Sequence, residues 1–248
     1  MTTRPRGLRY FCLLTALTAT SCSTTTPQSE PARTASLPVE WSPSLHLANL
    51  SDVPGRMNLP FGDVFTGTVN GRRATIANCS DYLRLSKQGF KDPNDQEVGV
   101  LHNDAAECVA LSLLEAAKPA RKTYLADFKL TPASLTLLPP ELAPAVSDTQ
   151  EAAAKAADSE GKSWKDYVPE AQATAGKRGS EIEVKQPGWL TKVMEYGRAD
   201  FTGGGSQQLL IRVDYASTEG TYGDSKIFLL GRGTAQARLK LGQTVPVP

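Results

Sequence analysis

The chain is poor in the residues that most often carry chemistry. It holds two histidines, three methionines and three tryptophans in 248 residues, and 27 basic side chains almost balance 26 acidic ones. Neither His46 nor His102 has a Cys, His or Asp at the spacing of a zinc site, so both read as structural or solvated. The near-neutral balance provides no field for a nucleic-acid backbone and no polybasic face for a membrane surface. There is no G-x-S-x-G elbow, P-loop or dinucleotide fingerprint; "GGGSQQ", residues 203–208, lacks the lysine and leads toward a strand, not a helix. No apolar run reaches the roughly 20 residues that span a bilayer. A pair of acids working on a glycosidic bond would leave no local signature among 26 candidates, so no catalytic residue is assigned.

What is present begins at the N-terminus. "MTTRPRGLRYFCLLTALTATSCS" carries Arg4, Arg6 and Arg9, then an apolar stretch from Tyr10 to Ala19, then small residues before Cys22. That order is a secretory signal, residues 1–21. "TATSC" resembles the lipobox of bacterial lipoproteins, with Ala19 where leucine is usual. The resemblance implies cleavage before Cys22 and acylation of its thiol and amine, and Ser23 after it implies sorting to the outer membrane, facing the periplasm. Two or more acyl chains anchor stably where one binds only marginally. Loss of residues 1–21 removes three arginines and no acid, leaving 24 basic and 26 acidic residues, a charge near −2.

Cys12 leaves with the signal and Cys22 takes lipid, so Cys79 and Cys108 remain as a pair in an oxidising compartment, where a disulfide is expected. The alternative is a nucleophilic Cys79 or Cys108 served by His102, although His102 and Cys108 lie six apart, which suits no helical i,i+4 contact. Residues 22–45, "CSTTTPQSEPARTASLPVEWSPSL", read as a lipidated flexible tether. Such a tether holds the domain about 25–30 Å from the bilayer.

The expected fold is α+β: a helical and loop-rich part over 46–160 with one hairpin, and an antiparallel β part over 161–248, forming either one domain or two. Asn70-Gly71 between β-branched runs marks the hairpin. "CSDYLRLSKQGF" reads as a short helix with Ser80 as cap, and "NDAAECVALSLLEAAKP" as a longer one capped by Asn103 or Asp104 and ended by Pro119. Ala105, Cys108, Val109 and Ser112 fall on one face of it. Thr131 and Pro132 open another turn of helix. Ser147 and Gln150 form a capping box for an alanine-rich, exposed helix. Beyond Gly179, "SEIEVKQ", "LTKVMEY", "QQLLIRVDYA", "SKIFLLG" and "TAQARLKLG" read as a meander of four to five strands. Leu209, Ile211, Val213 and Tyr215 share one face, and Arg212 and Asp214 the other, with at least one face covered. The aromatic residues around this sheet, Trp164, Trp189, Tyr196, Phe201, Tyr215 and Tyr222, read as packing or interface residues ahead of a sugar platform.

"ADFTGGGSQQLLIRVDY", Ala199–Tyr215, has the outline of a twelve-residue calcium loop with Asp200 first and Gly205 sixth. It resembles the Asp-Gly loops of FG-GAP and integrin-type repeats, which also occur in periplasmic lipoproteins. Thr202 and Ser206 supply oxygens, but Gly204 and Gln208 stand where carboxylates are usual, and Ile211 takes the last position. One carboxylate does not make a calcium site, so Asp200, Thr202, Ser206 and Gln208 read as a degenerate loop kept for its shape, with no calcium and no cofactor expected. Only Glu219 or Asp224 from a neighbouring hairpin would supply the missing charge.

These features imply a lipid-anchored binding protein with a protein partner in the cell envelope and no nucleic-acid partner. By analogy with lipoproteins bearing Asp-Gly loops, some of which resemble inhibitors or immunity proteins, the chain reads as an inhibitor or immunity protein against a cell-wall hydrolase or toxin, met by an exposed tip comprising Thr218, Glu219, Thr221, Tyr222 and Asp224. An envelope hydrolase with a carboxylate or serine site, and an envelope scaffold or assembly factor, are the competing readings.

Overall fold

A computed structural model describes residues 36–91, 95–177 and 179–247; for residues 95–100 and 103 it gives the backbone alone. The signal, Cys22 and the first part of the tether lie outside the described residues. In chain order the elements are β1 (Glu40–Trp41), α1 (Val53–Met57), β2 (Phe65–Val69), β3 (Arg72–Ile76), α2 (Cys79–Ser86), α3 (Asp95–Ala116), α4 (Asp148–Ser159) and α5 (Trp164–Tyr167). The strands β4 (Gln172–Ala175), β5 (Glu181–Gln186), β6 (Trp189–Ala199), β7 (Gln208–Ser217), β8 (Gly223–Gly231) and β9 (Lys240–Val245) follow. The fold is α+β with a C-terminal antiparallel meander in the order β4-β5-β6-β7-β8-β9.

The meander has six strands, not four or five. β4, "QATA", contains no large apolar residue, so nothing in its sequence announces a strand; it forms because β5 offers it an edge from Gln172↔Lys185 to Ala175↔Ile182. The last strand starts at Lys240, later than "TAQARLKLG" suggests, and Ala237 N–H closes a turn on the Thr234 carbonyl instead. A seventh strand comes from the stretch expected to be tether. β1 pairs with β6 at Glu40↔Arg198 and Trp41↔Gly197, and Leu37 exchanges backbone hydrogen bonds with Ala120. The chain therefore joins the fold by Leu37, because Val39 and Leu45 each find a buried place despite the Ser/Pro-rich surroundings.

Both faces of the sheet are covered, which explains why β7 is apolar on successive positions: Leu209, Leu210, Ile211 and Val213 are all fully buried. On one face α3 packs with Met194, Tyr196, Leu210, Ile227 and Leu229. α3 is hydrophobic on nearly every side from Ala105 to Leu114, as a helix enclosed by its neighbours must be. On the other face the irregular chain from Leu125 to Ala143, together with Trp164 of α5, covers Val193, Ile211, Val213 and Phe228. Each core joins residues of the sheet to residues that precede it in the chain.

Local signals hold to varying degrees. Asn70 and Gly71 both take positive φ, 51° and 75°, in the two-residue turn of β2–β3. α2 is capped by Asn78, whose Oδ1 accepts from Asp81 N–H at 2.9 Å, and not by Ser80, whose hydroxyl goes to the Met57 carbonyl. α3 begins at Asp95, before the expected Asn103 or Asp104, so His102 lies inside the helix. Thr131 and Pro132 open a short 3-10 turn. α4 starts at its Ser147 cap as expected and buries only Ala154 and Ala157.

Candidate functional site

Cys79 and Cys108 form a disulfide between the start of α2 and the middle of α3. The pair is closed and buried, and His102 is engaged elsewhere, so the thiol–histidine alternative falls away. His102 Nε2 lies 2.9 Å from Asp224 Oδ1 and 3.1 Å from the Ser225 carbonyl, tying α3 to β8. His46 is exposed and closes a 3-10 turn in the left-handed region.

The glycine loop is organised by its one carboxylate. Asp200 Oδ1 accepts from Gly203 N–H at 2.8 Å and Oδ2 from Gly205 N–H at 2.7 Å, and Asp200 itself is buried. Gln208 Oε1 accepts from Phe201 N–H and from the Thr202 hydroxyl. Ser206 lies on the Lys122 backbone, whose N–H, with that of Arg121, donates to the Gly205 carbonyl. Gly203 and Gly205 take φ near +79° and +78°, which explains the glycines without a ligand. Asp200 follows the end of β6, whereas Glu219 and Asp224 lie about 30 Å away at the far ends of β7 and β8, given a rise of roughly 3.4 Å per residue. The topology removes them as extra ligands. Among the described residues no group of three or more His, Cys, Asp or Glu side chains is placed to hold a metal ion.

At the other end of the sheet two turns meet. β5 turns into β6 through Pro187 and Gly188, with φ +75° at Gly188, as a proline–glycine turn demands. β7 turns into β8 through 218–222. Because β6 pairs with β7 in the register Trp189↔Ser217, the two turns lie side by side, and Thr218 N–H donates to the Gly188 carbonyl at 3.0 Å. Trp189 and Tyr222 meet edge to face, with ring centroids 5.7 Å apart and planes at 87°. Tyr222 is 48% exposed and Leu190 43%. A shallow cleft of about 560 Å³ runs beside the turns, lined by Glu170, Lys185, Gln186, Pro187, Gly188 and Thr218.

The joined turns stand on a fixed base. Trp164, fully buried, donates its indole N–H to Gln186 Oε1 at 2.9 Å, bracing the first turn. Behind the second, buried Arg212 bonds Asp214 at 2.5 Å and reaches the Tyr196 hydroxyl and Ser225 Oγ. Ser225 N–H and His102 both meet Asp224 Oδ1. Partial burial works against ionising Asp224, but the His102 contact, the Lys226 charge and the Ser225 N–H outweigh it and hold its carboxyl below the ordinary range. Burial and the neighbouring Asp224 carboxylate push the Tyr222 phenol up, so it remains a neutral hydrogen-bond donor.

Comparison with known proteins finds no matching family model, curated protein or solved structure. The site therefore rests on its own geometry. Of the residues expected at the tip, Thr218, Glu219, Thr221 and Tyr222 are exposed there, while Asp224 turns back to His102 and belongs to the base. The sequence pattern calls for a glycine turn between the β5 and β6 runs, but not for its place beside this tip, which the β6–β7 register sets. No helix among the described residues is long and apolar enough to cross a membrane.

Proposed function

We propose that the chain is a lipid-anchored binding protein of a bacterial outer membrane, facing the periplasm, that engages a protein partner through the joined turns at Gly188 and Thr218. The observation that carries the reading is the half-exposed Tyr222, set edge to face against Trp189 between turns that are braced separately by Trp164 on Gln186 and by His102 on Asp224. Aromatic side chains held rigidly at an exposed apex lose little conformational entropy on binding, and Trp and Tyr are enriched among residues that dominate interfaces. The anchor comes from the lipobox resemblance at Cys22, and the class of partner, a cell-wall hydrolase or toxin, from analogy with the Asp-Gly loops of periplasmic lipoproteins.

A photoreactive benzophenone at position 221, expressed at native level in the full-length protein, tests it against the same group at position 202, on the opposite end of the sheet. The expected result is one envelope hydrolase or toxin cross-linked from 221 and not from 202, its activity suppressed by the purified protein. Tyr222→Ala should weaken that complex by about tenfold or more. Equal cross-linking from both ends, or a captured enzyme that remains fully active, would overturn the proposal.

A further inference from the structure

Away from the joined turns, residues of α4, β8 and β9 line a common space. The space between them is a cavity of about 280 Å³, just below the roughly 300–1,000 Å³ of typical small-molecule pockets. Ala154, Phe228 and Leu241 give it apolar walls. Its charged lining is two carboxylates, Glu141 and Glu151, and two ammonium groups, Lys155 and Lys226.

These groups do not satisfy one another. Glu141 Oε2 is buried without a hydrogen-bond partner, and a buried acceptor in that state is rare and unfavourable. Burial raises the Glu141 carboxyl above its ordinary value, with Asp158 adding to the effect, although its own backbone N–H and the charges of Arg238 and Lys155 oppose it. Arg238 is itself engaged by Asp158 at 3.4 Å. Lys226 Nζ stands 3.9 Å from Glu151 and 3.8 Å from Asp224, beyond hydrogen-bonding length from both, and 5.9 Å from the centre of the Tyr215 ring. Lys155 makes no ion pair among the described residues. The cavity thus offers an acceptor lacking a donor and ammonium donors lacking a close acceptor.

We infer that the cavity binds a small zwitterion carrying an ammonium and a carboxylate, a free amino acid or dipeptide with small apolar side chains, whose ammonium meets Glu141 and whose carboxylate meets Lys226 and Lys155. An anion alone would face two carboxylates, and a cation alone two ammonium groups; only a ligand with both charges answers the equal lining. The site is separate from the joined turns, so it stands whether or not they bind a protein.

Titration calorimetry on the full-length protein in detergent at pH 7, with L-leucine, L-alanyl-L-alanine and D-alanyl-D-alanine as probes, tests the inference. Binding by at least one probe with a Kd of about 1 mM or tighter is expected. N-acetylation of the probe, or amidation of its carboxylate, should weaken it by about tenfold or more, since each removes a charge-assisted contact. Glu141→Gln and Lys226→Met should do the same while the far-UV spectrum stays unchanged. The capped probes alter only the ligand, so they decide the matter even if a variant fails to fold. Preference between the two dipeptides distinguishes ordinary peptides from cell-wall stem peptides as the source. No binding of any probe at about 20 mM, or binding that survives both caps, overturns the inference.

Discussion

Replacing Asp200 with alanine separates a structural role for the glycine loop from a metal-binding one. The carboxylate accepts two backbone N–H groups, from Gly203 at 2.8 Å and from Gly205 at 2.7 Å, and both Asp200 and Gly205 are buried. Hydrogen bonds to a charged acceptor contribute about 1.5–3 kcal/mol each, and a buried donor left bare costs about 1–3 kcal/mol. The Gly203 side of the loop is exposed, so water recovers part of the loss there. The sum expected for Asp200→Ala is about 2–4 kcal/mol. For a domain of roughly 150–250 residues each kcal/mol moves Tm by about 2–4 °C, which gives a fall on the order of 4–16 °C. Asp200→Asn retains one acceptor oxygen and should lose about half as much. The assay is thermal unfolding of wild type and both variants, with about 1 mM calcium or with EDTA; a site filled at 100 times its Kd would stabilise the wild type by about 2.7 kcal/mol. Equal Tm in calcium and EDTA, with the alanine variant well below the asparagine one, is the expected result. A calcium-dependent rise in wild type that Asp200→Ala abolishes would refute the reasoning, as would an alanine variant within about 0.5 kcal/mol of wild type.

Reducing the Cys79–Cys108 disulfide, or replacing both cysteines by serine, releases a loop with a sequence separation of 29 and should lower stability by about 3.5 kcal/mol in the chain-entropy treatment; unchanged urea midpoints with and without reductant would contradict it. Gly197 sits at the bulge of β6 beneath β1, where a Cβ would stand 2.5 Å from the Glu40 carbonyl and 2.9 Å from Leu114. Gly197→Ala should therefore cost about 1–3 kcal/mol and loosen β1, read as faster amide exchange at Trp41. The Asp224 carboxyl is held below its ordinary value, so the unfolded chain binds its proton first as pH falls. Its contribution is present above about pH 4 and is lost as pH drops through the lower folded value; Asp224→Asn should flatten that part of the stability–pH curve. An identical curve for wild type and variant below about pH 4 would rule this out.

How much of this was legible depends on the range of the forces involved. The period-two pattern of β7 placed Arg212 and Asp214 opposite Leu209, Ile211, Val213 and Tyr215, and the structure keeps that division. Asn70-Gly71 and the Ser147 cap act within a few residues, so local chemistry was enough to locate them. The stretch 36–45 escaped because its composition is that of a linker, and its order comes from β6 and the Ala120 backbone, which sequence does not bring near it. β4 escaped for the same reason. The candidate site mixes both kinds of information. Tyr222 was visible as a loop aromatic, but its partner Trp189 becomes its neighbour only through the β6–β7 register, and the carboxylate beneath it is fixed by His102 of α3, which lies far earlier in the chain. Turning Tyr222 from a solvated tip residue into a pre-set contact takes that register and that helix together. The proposed interface is thus built by the sheet, and a peptide carrying only 217–225 should not reproduce it: an isolated two-stranded hairpin is marginal in water and would lack the indole that holds the phenol in place.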